Sequence, residues 1–170
     1  LSLYARILPP VGGDTLFASL AAAYDALPDE MKARINHLHC YHRVTATQNT
    51  KRRHTKEEAD AMEKAPPVVH PLAPRDAGTG RRYLFVNVPI YCRSIVELPT
   101  PEGDELLAEL YRHTQRPEFH FRLVWQPNTV VVWENNHTLH YPVSDYFPHE
   151  RKLWRGVIIP TEADRPRAAA

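Results

Sequence analysis

The sequence predicts a mainly β protein, a sandwich or distorted barrel with helices outside its sheets. Three observations predict it. Short runs that alternate apolar and polar residues recur through the second half, each closed by a turn sequence. Two stretches, near residues 16–27 and 100–111, instead carry apolar residues at helical spacing. Sixteen prolines against six glycines fall mostly between the periodic segments, where they act as rigid breakers.

At 170 residues, one domain over residues 1–160 with a frayed tail at 161–170 is the natural reading, and a chain this long buries a substantial core. A hydrophobic share of 43% and a charged share of 24% are those of an ordinary globular protein. The net charge of +1, with both signs mixed along the chain, excludes the basic footprint of a nucleic-acid binder. No apolar run reaches membrane-spanning length, so no membrane partner is expected. Cys40 and Cys92 lack zinc-ligand or CxxC spacing. Free thiols in a reducing, cytoplasmic compartment are therefore expected, with a single disulfide as the alternative.

Residues 1–8 read as a strand stopped by Pro9-Pro10. Gly12-Gly13 permits a tight turn, and Asp14 is suited to cap a helix whose inner face is Leu16, Phe17, Leu20, Tyr24 and Leu27. Pro28, with Asp29 and Glu30 behind it, starts a second short helix to about Ile35. Residues 37–44 suit a strand. Residues 45–64 are polar and charged, an excursion with one helical piece whose basic run Lys51-Arg52-Arg53-His54 suits a solvated face or a lid. Residues 68–70 and 82–88 read as strands, and Thr100-Pro101-Glu102 opens a helix that buries Leu106, Leu107, Leu110 and Tyr111. Strands follow at 119–125, 129–133, 138–141 and 152–159. The turns Gln126-Pro127-Asn128 and Glu134-Asn135-Asn136 separate the first three of these.

The residues able to carry chemistry lie in two places. Near the end, His140 on a short strand is followed eleven residues later by Arg151 and then by Arg155. Period-two alternation puts Arg151, Leu153, Arg155 and Val157 on one face, where two guanidiniums are costly unless an anion meets them. A surface ion pair with Asp145 or Glu150 is the alternative use of these arginines. Near the start, Thr15 falls in the expected first helical turn, where free backbone N–H groups favour anions, although plain capping is the commoner use. Trp133 reads as a core aromatic. In the run His37-Leu38-His39-Cys40-Tyr41-His42, alternation gives each strand face only two good ligands, short of a zinc site, so ordinary packing or the lining of a substrate pocket is preferred there.

Taken together, the GGDT turn and the stretch FHFRLVWQPNTVVVWENNHTLHY, followed by Arg151 and Arg155, resemble the taurine dioxygenase (TauD/TfdA) family of iron(II)/2-oxoglutarate oxygenases. The resemblance implies a double-stranded β-helix, or jelly-roll. It implies His140 as a metal ligand, Thr15 and Arg151 as contacts of 2-oxoglutarate, and Arg155 beside the cosubstrate or an anionic substrate. Fe(II), 2-oxoglutarate and O2 are the implied cofactors, and a small organic molecule, anionic if Arg155 meets it, is the implied substrate; a homo-oligomer is compatible. The family's other metal motif, His-x-Asp/Glu, normally lies upstream of the GGDT turn, and residues 1–11 do not contain it. The expected activity is oxidation, chiefly hydroxylation, with 2-oxoglutarate decarboxylated to succinate. An inactive jelly-roll binding module and a related halogenase are the alternatives.

Overall fold

A computed structural model describes residues 1–43 and 55–158, without the side chains of 62 and 63. In chain order its strands are β1 (Ser2–Ile7), β2 (Thr15–Ser19), β3 (His39–His42), β4 (Val68–Pro71), β5 (Cys92–Ile95), β6 (His120–Leu123), β7 (Val130–Val132), β8 (Thr138–Pro142) and β9 (Lys152–Gly156). The helices are α1 (Leu20–Asp25), α2 (Asp29–Ile35), α3 (Lys56–Lys64) and α4 (Thr100–Thr114).

Three antiparallel sheets result, ordered β7-β1-β9, β6-β2-β8 and β4-β3-β5. From β6 to β9 the chain crosses alternately between the second and first sheets, as a jelly-roll requires. The turns are those the sequence marks. Asn128 takes a positive φ of 64° between β6 and β7, which asparagine tolerates better than most residues. His137 N–H donates to the Glu134 carbonyl between β7 and β8.

The main core lies on the helical side. Burial at Gly103, Leu106, Leu107, Leu110, Tyr111 and Thr114 follows the i, i+3, i+4 rhythm of one helix face, and that face packs on β5 and α1. Ile35, Leu38, Leu72, Leu84 and Val86 complete the cluster. Leu110 is fully enclosed, so Leu110→Ala should cost about 2–5 kcal/mol, read as a lower denaturant midpoint at unchanged slope. Strands β6 to β9 are covered less well: Phe121, Val130, Val132 and Trp154 are all more than half exposed.

Several expectations need correction. The helix assigned from Asp14 begins only at Leu20, with the Ser19 hydroxyl accepting from the Ala22 N–H as its cap. Residues 15–19 form β2 instead, because β6 and β8 flank them on both sides and claim their backbone groups. Residues 82–88 are irregular rather than a strand, apart from a bridge of Arg82 to Arg75. Their N–H groups serve separate acceptors, Tyr83 to Pro74, Leu84 to Leu20 and Phe85 to Leu72, so no single ladder forms. Strand β5, unforeseen in sequence, pairs with β3 and carries Cys92 to Cys40. Their Cα atoms are 6.4 Å apart and the two residues are joined as a disulfide, not held as free thiols. Helix α3 is the helical piece of the polar excursion, closed at its start by a reciprocal Thr55–Glu58 capping box. The basic run at 51–54 and the tail lie outside the described residues.

Candidate functional site

The site is built where the first two sheets meet, along β2. Strand alternation places Thr15 and Phe17 on one face of β2, about 7 Å apart. His140 of β8 stands directly opposite Phe17, and Pro142 stands opposite Thr15. The His140 ring packs against a pair of aromatics that also touch each other, Phe17 at 6.5 Å and Trp133 at 5.2 Å and edge-on, while the residue keeps an open side. Burial lowers its pKa first, and the charges of Arg155 and the N-terminus push it further down, so its imidazole is held neutral, the form that can ligate a metal. Trp133, expected as a core aromatic, is half-buried with an indole N–H that has no hydrogen-bond partner among the described residues.

At the Thr15 end lies Arg151. Its Nε donates to the Gly13 carbonyl at 2.7 Å and its Nη2 to the Thr15 hydroxyl at 3.3 Å. A guanidinium has five N–H groups in a planar fork, so the Nη1 pair and the second Nη2 proton stay available to an incoming anion. The guanidinium also lies 5.8 Å from the Tyr146 ring centroid. Burial lowers its pKa, with Tyr146 and Asp14 opposing that shift. Thr15 is fully buried and its oxygen also accepts from the Trp125 indole at 3.0 Å. With two donors aimed at that oxygen, its own proton points elsewhere and can be donated.

Of the two acidic rivals expected for Arg151, Asp145 is otherwise engaged. Asp145 accepts from the Gly13 N–H at 2.7 Å and lies 3.7 Å from Arg122, whose Nε donates to Asp14 at 2.6 Å. This Asp14–Arg122–Asp145 group locks the turn that presents Thr15, and its hydrogen bond to Asp14 raises the Arg122 pKa first of all. Nothing local in the sequence links residues 108 positions apart, so Arg122 and Trp125 were not foreseen as supports. Arg155 stands apart from the Thr15–Arg151 group. It is exposed on β9 opposite Leu3, and its charge reaches His140. The structure thus brings His140, Thr15 and Arg151 to one surface, with Thr15 on a strand and not at the helix N-terminus invoked for it.

Gly12 and Gly13 are demanded by this packing. Both have positive φ, 75° and 73°. A Cβ on Gly13 would sit 2.9 Å from the Arg151 Cδ, and one on Gly12 would sit 2.5 Å from the Asp145 carboxylate. Gly13→Ala should cost about 1–3 kcal/mol of stability and push Arg151 out of place, seen as a lower melting temperature together with weaker binding of a small dicarboxylate.

Comparison with known proteins gives a family match over nearly all the described residues. The family model for taurine catabolism dioxygenase TauD, TfdA family matches residues 1–157. An alpha-ketoglutarate-dependent 2,4-dichlorophenoxyacetate dioxygenase from Burkholderia sp. (strain RASC) is 37% identical over 142 residues, covering 81% of this chain and 46% of that protein. A taurine dioxygenase from Burkholderia xenovorans superposes with a TM-score of 0.74 at 32% identity, over 89% of this chain and 50% of the other. The crystal structure of AAD-2 in complex with Mn(II) and N-oxalylglycine superposes at 0.73 and 33% identity, over 90% and 60%. The chain thus spans about half the length of the relatives it matches. With its match over nearly every described residue, its alternating sheets and its His140–Thr15–Arg151 surface, the chain belongs to the TauD/TfdA family of dioxygenases.

Proposed function

We propose that this chain forms the cosubstrate-binding part of an Fe(II)/2-oxoglutarate-dependent dioxygenase, within one domain over residues 1–160, which hydroxylates a small organic molecule. The observation that carries the reading is the Arg151 guanidinium. It is anchored by one edge to Gly13 and Thr15 with its other N–H groups unbonded among the described residues, two residues along β2 from the neutral imidazole of His140. A five-carbon dicarboxylate bound at one end by a metal and at the other by a planar fork fits that spacing.

In this reading His140 supplies one imidazole of the two-histidine, one-carboxylate set that iron(II) oxygenases use, and no other ligand comes from its own surface. Among the described residues, no cluster of metal-binding side chains includes His140. The resemblance assigns the remaining pair to a His-x-Asp/Glu motif upstream of Gly12. When bound, the iron supplies oxygen activation, coupled to loss of carbon dioxide from 2-oxoglutarate. The chain's own residues bind and orient. Arg151 forks onto the distal carboxylate and Thr15 donates its hydroxyl proton to it. Phe17 and Trp133 wall the His140 ring, and the Asp14–Arg122–Asp145 group keeps the Gly12–Thr15 turn rigid.

The substrate is an organic anion. Arg155 leaves an exposed cationic head near His140, and two relatives are named for 2,4-dichlorophenoxyacetate and taurine, a carboxylate and a sulfonate. The test is a screen of carboxylates and sulfonates with the longest native form of the protein, measuring succinate formed from 2-oxoglutarate. Succinate that rises with an anionic substrate and falls with Arg155→Ala supports the reading. Retained 2-oxoglutarate with no turnover of any substrate would leave a binding module in its place.

A further inference from the structure

Away from that surface, the β4-β3-β5 sheet gathers a second set of ligating side chains. Cys40 and His42 share one face of β3, as alternation in the sequence already requires. Strand β5 pairs with β3 so that Cys92 lies opposite His42. The two sulfurs and a ring nitrogen of His42 all fall within 4.8 Å of one another. Each face of the 37–42 run carries two ligands, too few for zinc, and the third comes from β5.

The surroundings are those of a built site. Both cysteines are fully buried. The His42 Nε2 is buried and, among the described residues, has no hydrogen-bond partner, an expensive condition for a polar atom unless something else takes its lone pair or proton. Phe85 stacks on the His42 ring at 5.0 Å and walls it with an apolar surface. His70, on β4 opposite Cys40, places its ring 5.2 Å from that of His42.

We propose that Cys40, Cys92 and His42 form a zinc site in the reduced protein, with His70 or water in the fourth position. Two thiolates and an imidazole are a donor set that zinc accepts in tetrahedral geometry. The metal and the disulfide are two states of one clip. Reducing the disulfide with a dithiol adds two electrons and two protons to the sulfurs while the reductant closes to its own disulfide, and zinc then displaces both protons. Either state ties β3 to β5 and closes the ends of a segment 52 residues long, which removes chain entropy from the unfolded state. The clip thereby fixes the root of the polar excursion.

The test uses cobalt(II) as a spectroscopic stand-in for zinc on the anaerobic, reduced chain. One equivalent of cobalt should give thiolate-to-metal charge transfer in the near ultraviolet and the intense visible bands of a tetrahedral ion, both removed by zinc. Cys40→Ser and Cys92→Ser should lose the charge transfer. His42→Ala should weaken binding by at least about tenfold, and His140→Ala should leave it unchanged, which separates the site from the β2 surface. Because a serine in the core could unfold the chain, the unmutated protein gives a second reading: zinc should protect both thiols from alkylation, counted by mass. Absence of thiolate charge transfer at one equivalent, or two thiols alkylated equally fast with and without zinc, would overturn the proposal.

Discussion

Arg151→Ala in the longest native form of the protein should weaken 2-oxoglutarate binding by about thirtyfold to several thousandfold, the equivalent of about 2–5 kcal/mol, while metal affinity stays within a few-fold. The size follows from where the guanidinium sits. It is partly buried, held by Gly13 and Thr15, and turned so that the remaining fork is the part offered to a carboxylate. Removing it leaves that carboxylate desolvated and unpaired. Arg151→Lys should recover little, because an ammonium keeps the charge but cannot hold Gly13 and Thr15 and also donate two parallel bonds. Calorimetric titration with N-oxalylglycine, a non-reactive analogue of the cosubstrate, measures this directly. Unchanged affinity in Arg151→Ala would remove the residue from the site.

His140→Ala should do the reverse. Losing one of three metal ligands should weaken iron(II) or manganese(II) binding by more than about a hundredfold, a larger loss than removing a supporting partner causes. Cosubstrate binding should then fall only to the extent that it depends on the metal. The neighbouring Phe17 and Trp133 rings, which also pack on each other, should survive the change, so the melting temperature of the metal-free protein should hardly move. A variant that keeps full metal affinity would mean that His140 is a packing residue. Opposite responses of the two variants, one losing the metal and the other the dicarboxylate, would separate the two ends of the surface.

Much of this arrangement was legible in the sequence because it is local. Strands β6 to β9 announce themselves by alternation and by the Gln126-Pro127-Asn128 and Glu134-Asn135-Asn136 turns, and the spacing of His140, Arg151 and Arg155 travels with them. Helix α4 was readable from its leucines for the same reason. What failed was non-local. Leu16 and Phe17 fit the helical rhythm of Leu20, Tyr24 and Leu27 as well as they fit a strand, and only the flanking β6 and β8 decide for the strand. Cys92 lies in the short segment Cys92–Ile95, between Pro89 and Pro99, with too few alternating residues to register as β5. Its partnership with Cys40 depends on a pairing across 52 residues. The Asp14–Arg122–Asp145 support is likewise a product of β2 pairing with β6, not of any motif.

The most direct measurement is an anaerobic titration of iron(II) and 2-oxoglutarate into the longest native form of the protein, followed by visible absorbance. The proposed site requires a metal-to-ligand charge-transfer band that saturates at one equivalent of each, is lost in His140→Ala, and in Arg151→Ala appears only at much higher 2-oxoglutarate. Absence of the band at saturating iron and cosubstrate would contradict the assignment of this surface to iron and 2-oxoglutarate.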